Sequence, residues 1–98
     1  MNKYLSKIMY NQSGGNTENE IMVLQDLAGE IEAIIQYSQH INATNSTAVK
    51  TVLTGIRDEE KVHMGELITL LIYLNPTWAT FLDKGEEEVK ELLKPTLN

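Results

Sequence analysis

The chain has 98 residues, 42% of them hydrophobic and 22% charged, with no cysteine, which suits one small cytosolic domain rather than a disulfide scaffold, a zinc finger or a disordered tail. A formal net charge of −6, from 14 acidic and 8 basic residues, opposes binding to nucleic acid or anionic lipid and makes cations the better-matched partners. No run approaches the roughly 18–20 uninterrupted apolar residues that span a bilayer, and Met1 to Gly15 lacks the apolar core of a signal peptide, so a cytoplasmic location with no membrane partner is expected.

Residues 1–16 end in Asn11-Gln12-Ser13-Gly14-Gly15-Asn16, whose small and polar side chains favour turns, so a flexible N-terminal arm is expected there. Residues 17–98 then read as a single helical-hairpin domain. Thr17 with Glu20 three positions later has the form of a capping box, in which each side chain satisfies a backbone N–H of the other. From Ile21 the residues Leu24, Leu27, Ala28, Ile31, Ile34, Ile35 and Ile41 recur at threes and fours, which predicts a helix running to about Ile41. Asn42 to Thr47 interrupts that pattern as a short loop, with Asn45 or Ser46 placed to cap the next helix.

A second periodic run holds Val49, Val52, Leu53, Ile56, Met64, Leu67, Ile68, Leu70, Leu71 and Leu74, and Pro76 cannot continue it because it lacks an N–H and restricts Asn75. The spacing predicts a helix over 47–74. Beyond it a short helix over Trp78 to Asp83, ending near Gly85, and another over Glu86 to Leu93 are expected. The fold class is therefore all-α: two long antiparallel helices plus short C-terminal helices.

The second helix carries an anomaly. At about 100° per residue, Glu60 falls in the middle of the apolar stripe, flanked by Leu53, Leu71, Val49, Leu67, Ile56 and Met64. His63 comes next within the same arc, whereas Asp58, Glu59, Lys61 and Glu66 fall outside it. The first helix repeats the oddity, because Glu30 shares a row with Val23, Leu27, Ile34, Tyr37 and Ile41, while Glu32 lies on the opposite side. A hairpin turning near residue 45 sets Glu30 and Glu60 equally far from the turn, hence level with each other. Two ionised carboxylates placed among apolar side chains must be protonated, paired or bound to a cation. Arg57 is the one basic residue near that face able to act as a local counterion.

A Glu on one helix and a Glu-x-x-His on another make half of the ligand set of di-iron and di-manganese carboxylate bundles. A second copy would supply the other half, so the hairpin is expected to dimerise into a ferritin-like four-helix bundle with Glu30, Glu60 and His63 donated by two chains. Hard oxygen donors with one imidazole per metal favour Fe or Mn over copper, and Zn or Ca can substitute. The competing structural reading is a buried Glu-His or Glu-Arg57 pair that only fixes helix register.

Leu27-Ala28-Gly29-Glu30-Ile31-Glu32-Ala33-Ile34-Ile35-Gln36-Tyr37, together with Arg57-Asp58-Glu59-Glu60-Lys61-Val62-His63, closely resembles the encapsulated ferritins, over about Glu20 to Trp78. The resemblance implies a ferroxidase that oxidises Fe(II) to Fe(III) at a di-iron centre between two subunits, built from Glu30, Glu60 and His63 with Tyr37 as a neighbouring hydrogen-bonding residue. It further implies a homodimer, an annular decamer of such dimers, and an encapsulin shell as partner, with the protein inside that nanocompartment. In that family a metal-access site flanks the centre with two further glutamates and a tryptophan. This chain has Gly29, Glu32 and Gln36 at those places, so Glu32 alone is kept as a secondary site. Lys94 to Asn98 shows no Gly- and Leu-bearing cargo peptide, and the shell partner therefore rests on the resemblance. Two rival functions are a rubrerythrin-like di-iron peroxidase and a non-catalytic dimeric helical adaptor.

Overall fold

The computed structural model describes residues 17–96, and the arm expected over residues 1–16 lies outside them. Three helices succeed one another: α1 over Thr17–Ala43, α2 over Thr47–Leu74 and α3 over Thr77–Leu93. α1 runs two residues past the expected end, and the Thr44 N–H donates to the His40 carbonyl to close its last turn. A connection of three residues forces α2 back alongside α1. Of the two capping candidates Ser46 takes the role, with φ −81° and ψ 120°, and its hydroxyl accepts from the Val49 N–H at 3.2 Å. α2 has the expected bounds: Asn75 leaves the helical region at φ −145°, its N–H still donating to the Leu71 carbonyl, and Pro76 comes next.

Two expectations are corrected. The Thr17–Glu20 pair is not a capping box, since Thr17 is already part of α1 and the Glu20 carboxylate accepts instead from Trp78 Nε1 and Asn75 Nδ2. Water can serve an exposed backbone N–H at a helix start, whereas a half-buried indole N–H needs a protein acceptor. The C-terminal segment is one helix rather than two short ones, passing through Gly85 without a break. Gly85 keeps helical geometry because nothing demands a turn there. The i,i+4 pair of Glu86 and Lys90, at 2.8 Å, supports the stretch beyond it.

Packing is concentrated at one end. Among the described residues the buried apolar side chains are Val23 of α1, Leu71 and Ile72 of α2 and Ala79 of α3, all near the open end of the hairpin where α3 departs. Farther along, Ile31, Ile35, Val49, Val52 and Val62 remain exposed. The third helix is amphipathic, with Trp78, Phe81, Leu82, Val89, Leu92 and Leu93 in one stripe, yet Phe81 is 70% and Leu92 79% exposed. A single chain thus leaves apolar surface uncovered on all three helices. No helix among the described residues is long and apolar enough to cross a membrane.

Candidate metal centre

Antiparallel pairing of α1 and α2 brings Glu30 level with Glu60, as equal spacing from the turn requires. The i,i+3 step on α2 places His63 beside Glu60, with Nδ1 3.3 Å from Glu60 Oε2. The same Nδ1 stands 3.5 Å from Glu30 Oε1 across the hairpin. One ligand atom from each of the three residues lies within 4.8 Å of the others. The two carboxylates are about four-fifths buried, with exposures of 23% for Glu30 and 19% for Glu60, while the imidazole is 47% exposed.

Donors around one divalent ion stand at most about 4–4.5 Å apart, twice a metal–ligand bond of about 2.0–2.2 Å. Small side-chain adjustments therefore bring this group to a metal's reach, and the residues present fit a divalent cation. Two carboxylates facing one ring nitrogen also need something positive between them. In the tautomer that carries its hydrogen on Nδ1, the ring donates to Glu60 or Glu30.

The counterion expected of Arg57 is elsewhere. Its guanidinium pairs with the neighbouring Asp58, Nε at 3.4 Å and Nη2 at 3.5 Å, and Lys61 approaches the same carboxylate at 3.7 Å. An exposed carboxylate one residue away costs Arg57 less ordering and desolvation than a largely buried one a turn away. The Glu–Arg57 lock is thereby excluded for the single chain, and His63 is the group that bridges the acids.

The other singled-out residues stay apart. Tyr37 is half-buried two turns beyond Glu30 and forms no hydrogen bond to the three acid and imidazole groups among the described residues. Glu32, Gly29 and Gln36 are exposed. A groove of about 470 Å³ runs beside the centre, lined by Asp26, Gly29, Glu30, His63, Glu66 and Leu67. Asp26 is an addition to the expected residues, and Glu66, outside the apolar arc of α2, lines the groove all the same. It lies about 120° from Glu60 but only about 60° from His63, and the groove opens on the His63 side. The signal is present in the spacing: Asp26 precedes Glu30 by one turn and Glu66 succeeds His63 by one turn.

The family model described as EncFtn-like matches residues 4–85. Over 90 residues the chain is 36% identical to a ferritin-like–encapsulin shell fusion protein of Pyrococcus furiosus, covering 90% of this chain and 26% of that one. It is 28% identical over 75 residues to the encapsulin nanocompartment cargo protein EncC of Myxococcus xanthus, covering 76% of this chain and 58% of the relative. A ferritin-like protein of Thermotoga maritima is 31% identical over 83 residues, covering 79% of this chain and 73% of its own length. The chain thus spans about a quarter of the fusion protein and rather more than half of EncC. No solved structure matches the chain at a significant level. Matched over most of its length, and carrying two carboxylates and an imidazole at one level of its hairpin, the chain belongs to the EncFtn-like family of encapsulated ferritin-like proteins.

Proposed function

We propose that this protein is a ferroxidase, with Fe(II) as its substrate, and that its di-iron centre forms where two copies meet to make a four-helix bundle. The observation that carries the reading is the convergence of Glu30, Glu60 and His63 to within 4.8 Å. Three donors from one chain are too few for two ions, which need about four carboxylates and two imidazoles, so the second copy contributes the same three. The apolar residues left exposed along the two long helices, Ile31, Ile35, Val49 and Val52 among them, favour such a partner.

When bound, iron supplies the one-electron chemistry, giving up an electron to O₂ or peroxide. The chain's own groups set the conditions for it. Glu60 and Glu30 would hold the iron through their carboxylates, and His63 would provide a nitrogen to each site. Carboxylate charge at close range favours the triply over the doubly charged ion, which is the direction of the reaction. Tyr37 serves as a hydrogen-bonding neighbour of the assembled centre, and Glu32 draws Fe(II) toward it. The fusion of one relative to a shell and the naming of another as nanocompartment cargo support an encapsulin shell as partner, and a place inside it.

The test is stopped-flow absorbance of Fe(III) formation after mixing the protein with Fe(II) in air, alongside metal analysis of protein purified without chelator. Rapid oxidation above the protein-free rate, with bound iron and a loss in Glu60→Ala, is expected. Metal-free protein that leaves the rate unchanged would favour the helical adaptor, and consumption of peroxide with turnover of an external reductant would favour the peroxidase.

A further inference from the structure

Glu20 has no part in the candidate centre, yet three hydrogen bonds converge on its carboxylate. Trp78 Nε1 donates to Oε1 at 2.5 Å, and Asn75 Nδ2 lies 3.1 Å from Oε1 and 3.2 Å from Oε2. The other end of the same amide is also engaged, since Asn75 Oδ1 accepts from the Thr77 N–H at 3.2 Å and from the Thr77 hydroxyl at 2.7 Å. A continuous polar chain therefore runs from the first turn of α1, through the α2–α3 junction, to the first residue of α3.

Beside this polar chain, the base of α3 is held by the small core in which Ala79 is buried with Val23, Leu71 and Ile72. No Cα of α3 comes within 8 Å of one in α1, so these two helices meet only through side chains at the junction. The link between α2 and α3 is the two residues Asn75 and Pro76. Beyond Trp78 the apolar stripe of α3 stays exposed at Phe81, Leu82, Val89 and Leu92, while Ile21, Met22, Leu70 and Tyr73 stand uncovered at the end of the hairpin nearest to it. Apolar surface on both sides of a two-residue joint attracts, unless something holds the joint open. Hydrogen bonds to a half-buried carboxylate are of the stronger, charge-assisted kind.

We infer that Glu20 is the pin of an elbow: its carboxylate fixes the direction in which α3 leaves the hairpin, stripe uncovered, and its loss lets α3 pivot at Asn75–Pro76 toward the hairpin. Glu20 is thus a positioning residue, acting through Asn75 and Trp78 on where the stripe from Trp78 to Leu93 is presented.

Trp78 is the sole tryptophan, so its indole N–H reports the pin directly. The experiment places spin labels at Gln25 of α1 and Glu88 of α3, both exposed, in full-length chain diluted with unlabelled protein. It reads the distance distribution together with indole hydrogen exchange. The parent should give one narrow distance and slow exchange. Glu20→Ala should broaden the distribution with a new shorter component and speed indole exchange roughly 10–100-fold, the protection expected of a hydrogen bond to a charged group. Glu20→Gln, whose amide oxygen still accepts from Trp78 while its NH₂ faces the Asn75 NH₂, should fall between. A Glu20→Ala distribution as narrow as the parent's overturns the inference. Should Glu20→Ala lose its helical circular dichroism, Asn75→Ala and Trp78→Phe decide by the same distances, and parent-like distributions in both overturn it.

Discussion

His63 of α2 and Glu30 of α1 face each other across the hairpin, with Nδ1 3.5 Å from Oε1. The contact of His63 with Glu60 is the local one that any helix makes at i,i+3. The contact with Glu30 exists only because the three-residue connection aligns the helices in this register, and it turns a helical motif into a candidate site.

Glu60→Ala should abolish rapid Fe(II) oxidation, while Glu59→Ala, one step round the helix and exposed, should leave it within about twofold. Groups that merely orient ligands typically cost 10–100-fold in metal affinity or activity when removed, so the loss of a ligand should cost at least about that much. Stopped-flow rates of the two variants check the assignment, and equal losses would mean the helical phase is misread.

Metal should act as glue between copies. A ligand held only by the associated form stabilises it by about 2.7 kcal/mol at 100 times its Kd, which for a domain of this size raises the melting midpoint by roughly 4–8 °C per kcal/mol. Anaerobic Fe(II) should therefore shift size-exclusion elution toward larger species and raise the melting midpoint, and His63→Ala should weaken both responses. Metal binding displaces protons, so the shift should also shrink toward acid pH. Iron that binds with no change in elution or melting would place the site within one chain.

A lone chain should not persist at micromolar concentration. Val23, Leu71, Ile72 and Ala79 form a core at one end only, while apolar side chains on all three helices stay exposed. Light scattering should return a multiple of the 11.1 kDa chain mass. A species at that mass with full helicity would contradict the expectation.

Ile72, with 1% exposure, is the most enclosed large side chain among the described residues. Ile72→Val should cost about 0.5–1.5 kcal/mol and Ile72→Ala about 2–5 kcal/mol, the second leaving a cavity at the base of α3. Urea unfolding of the two variants measures this difference. An alanine cost no larger than the valine cost would mean that the end of the hairpin is not closely packed.

One exposed pair on α3 carries a pH dependence of its own. Lys90 hydrogen-bonds to the Glu86 carboxylate at 2.8 Å and, with its positive charge, holds that group below its ordinary 4.5. The support this lends α3 is complete above pH 4.5 and disappears as the pH falls through the lowered value. At the other limit Lys90 is raised above 10.5 by the same partner, so its share is complete below that pH and is lost as the pH rises through the raised value. Protection of the α3 amides, corrected for the intrinsic pH dependence of exchange, should fall at both extremes in the parent. In Glu86→Gln that loss of protection should be absent at both.

The two long helices and the site were legible from residue spacing because both depend on local regularities. Periodicity set the facing sides of α1 and α2, the break at Asn42 to Thr47 set the turn, and equal separations from that turn set Glu30 against Glu60. Other features depended on which side chains meet across the fold. Glu20 reads as a cap when only its neighbours in sequence are considered, and only the arrival of Asn75 and Trp78, 55 and 58 residues away, shows where its carboxylate goes. Arg57 lies on the right face to neutralise Glu60, but the competition was decided by Asp58, the adjacent and more exposed carboxylate. Gly85 has the composition of a helix stop, yet a glycine ends a helix only where the chain must turn, and here α3 runs on through it. Local pattern determined the elements and their faces, and tertiary packing chose among the partners that each polar side chain could reach.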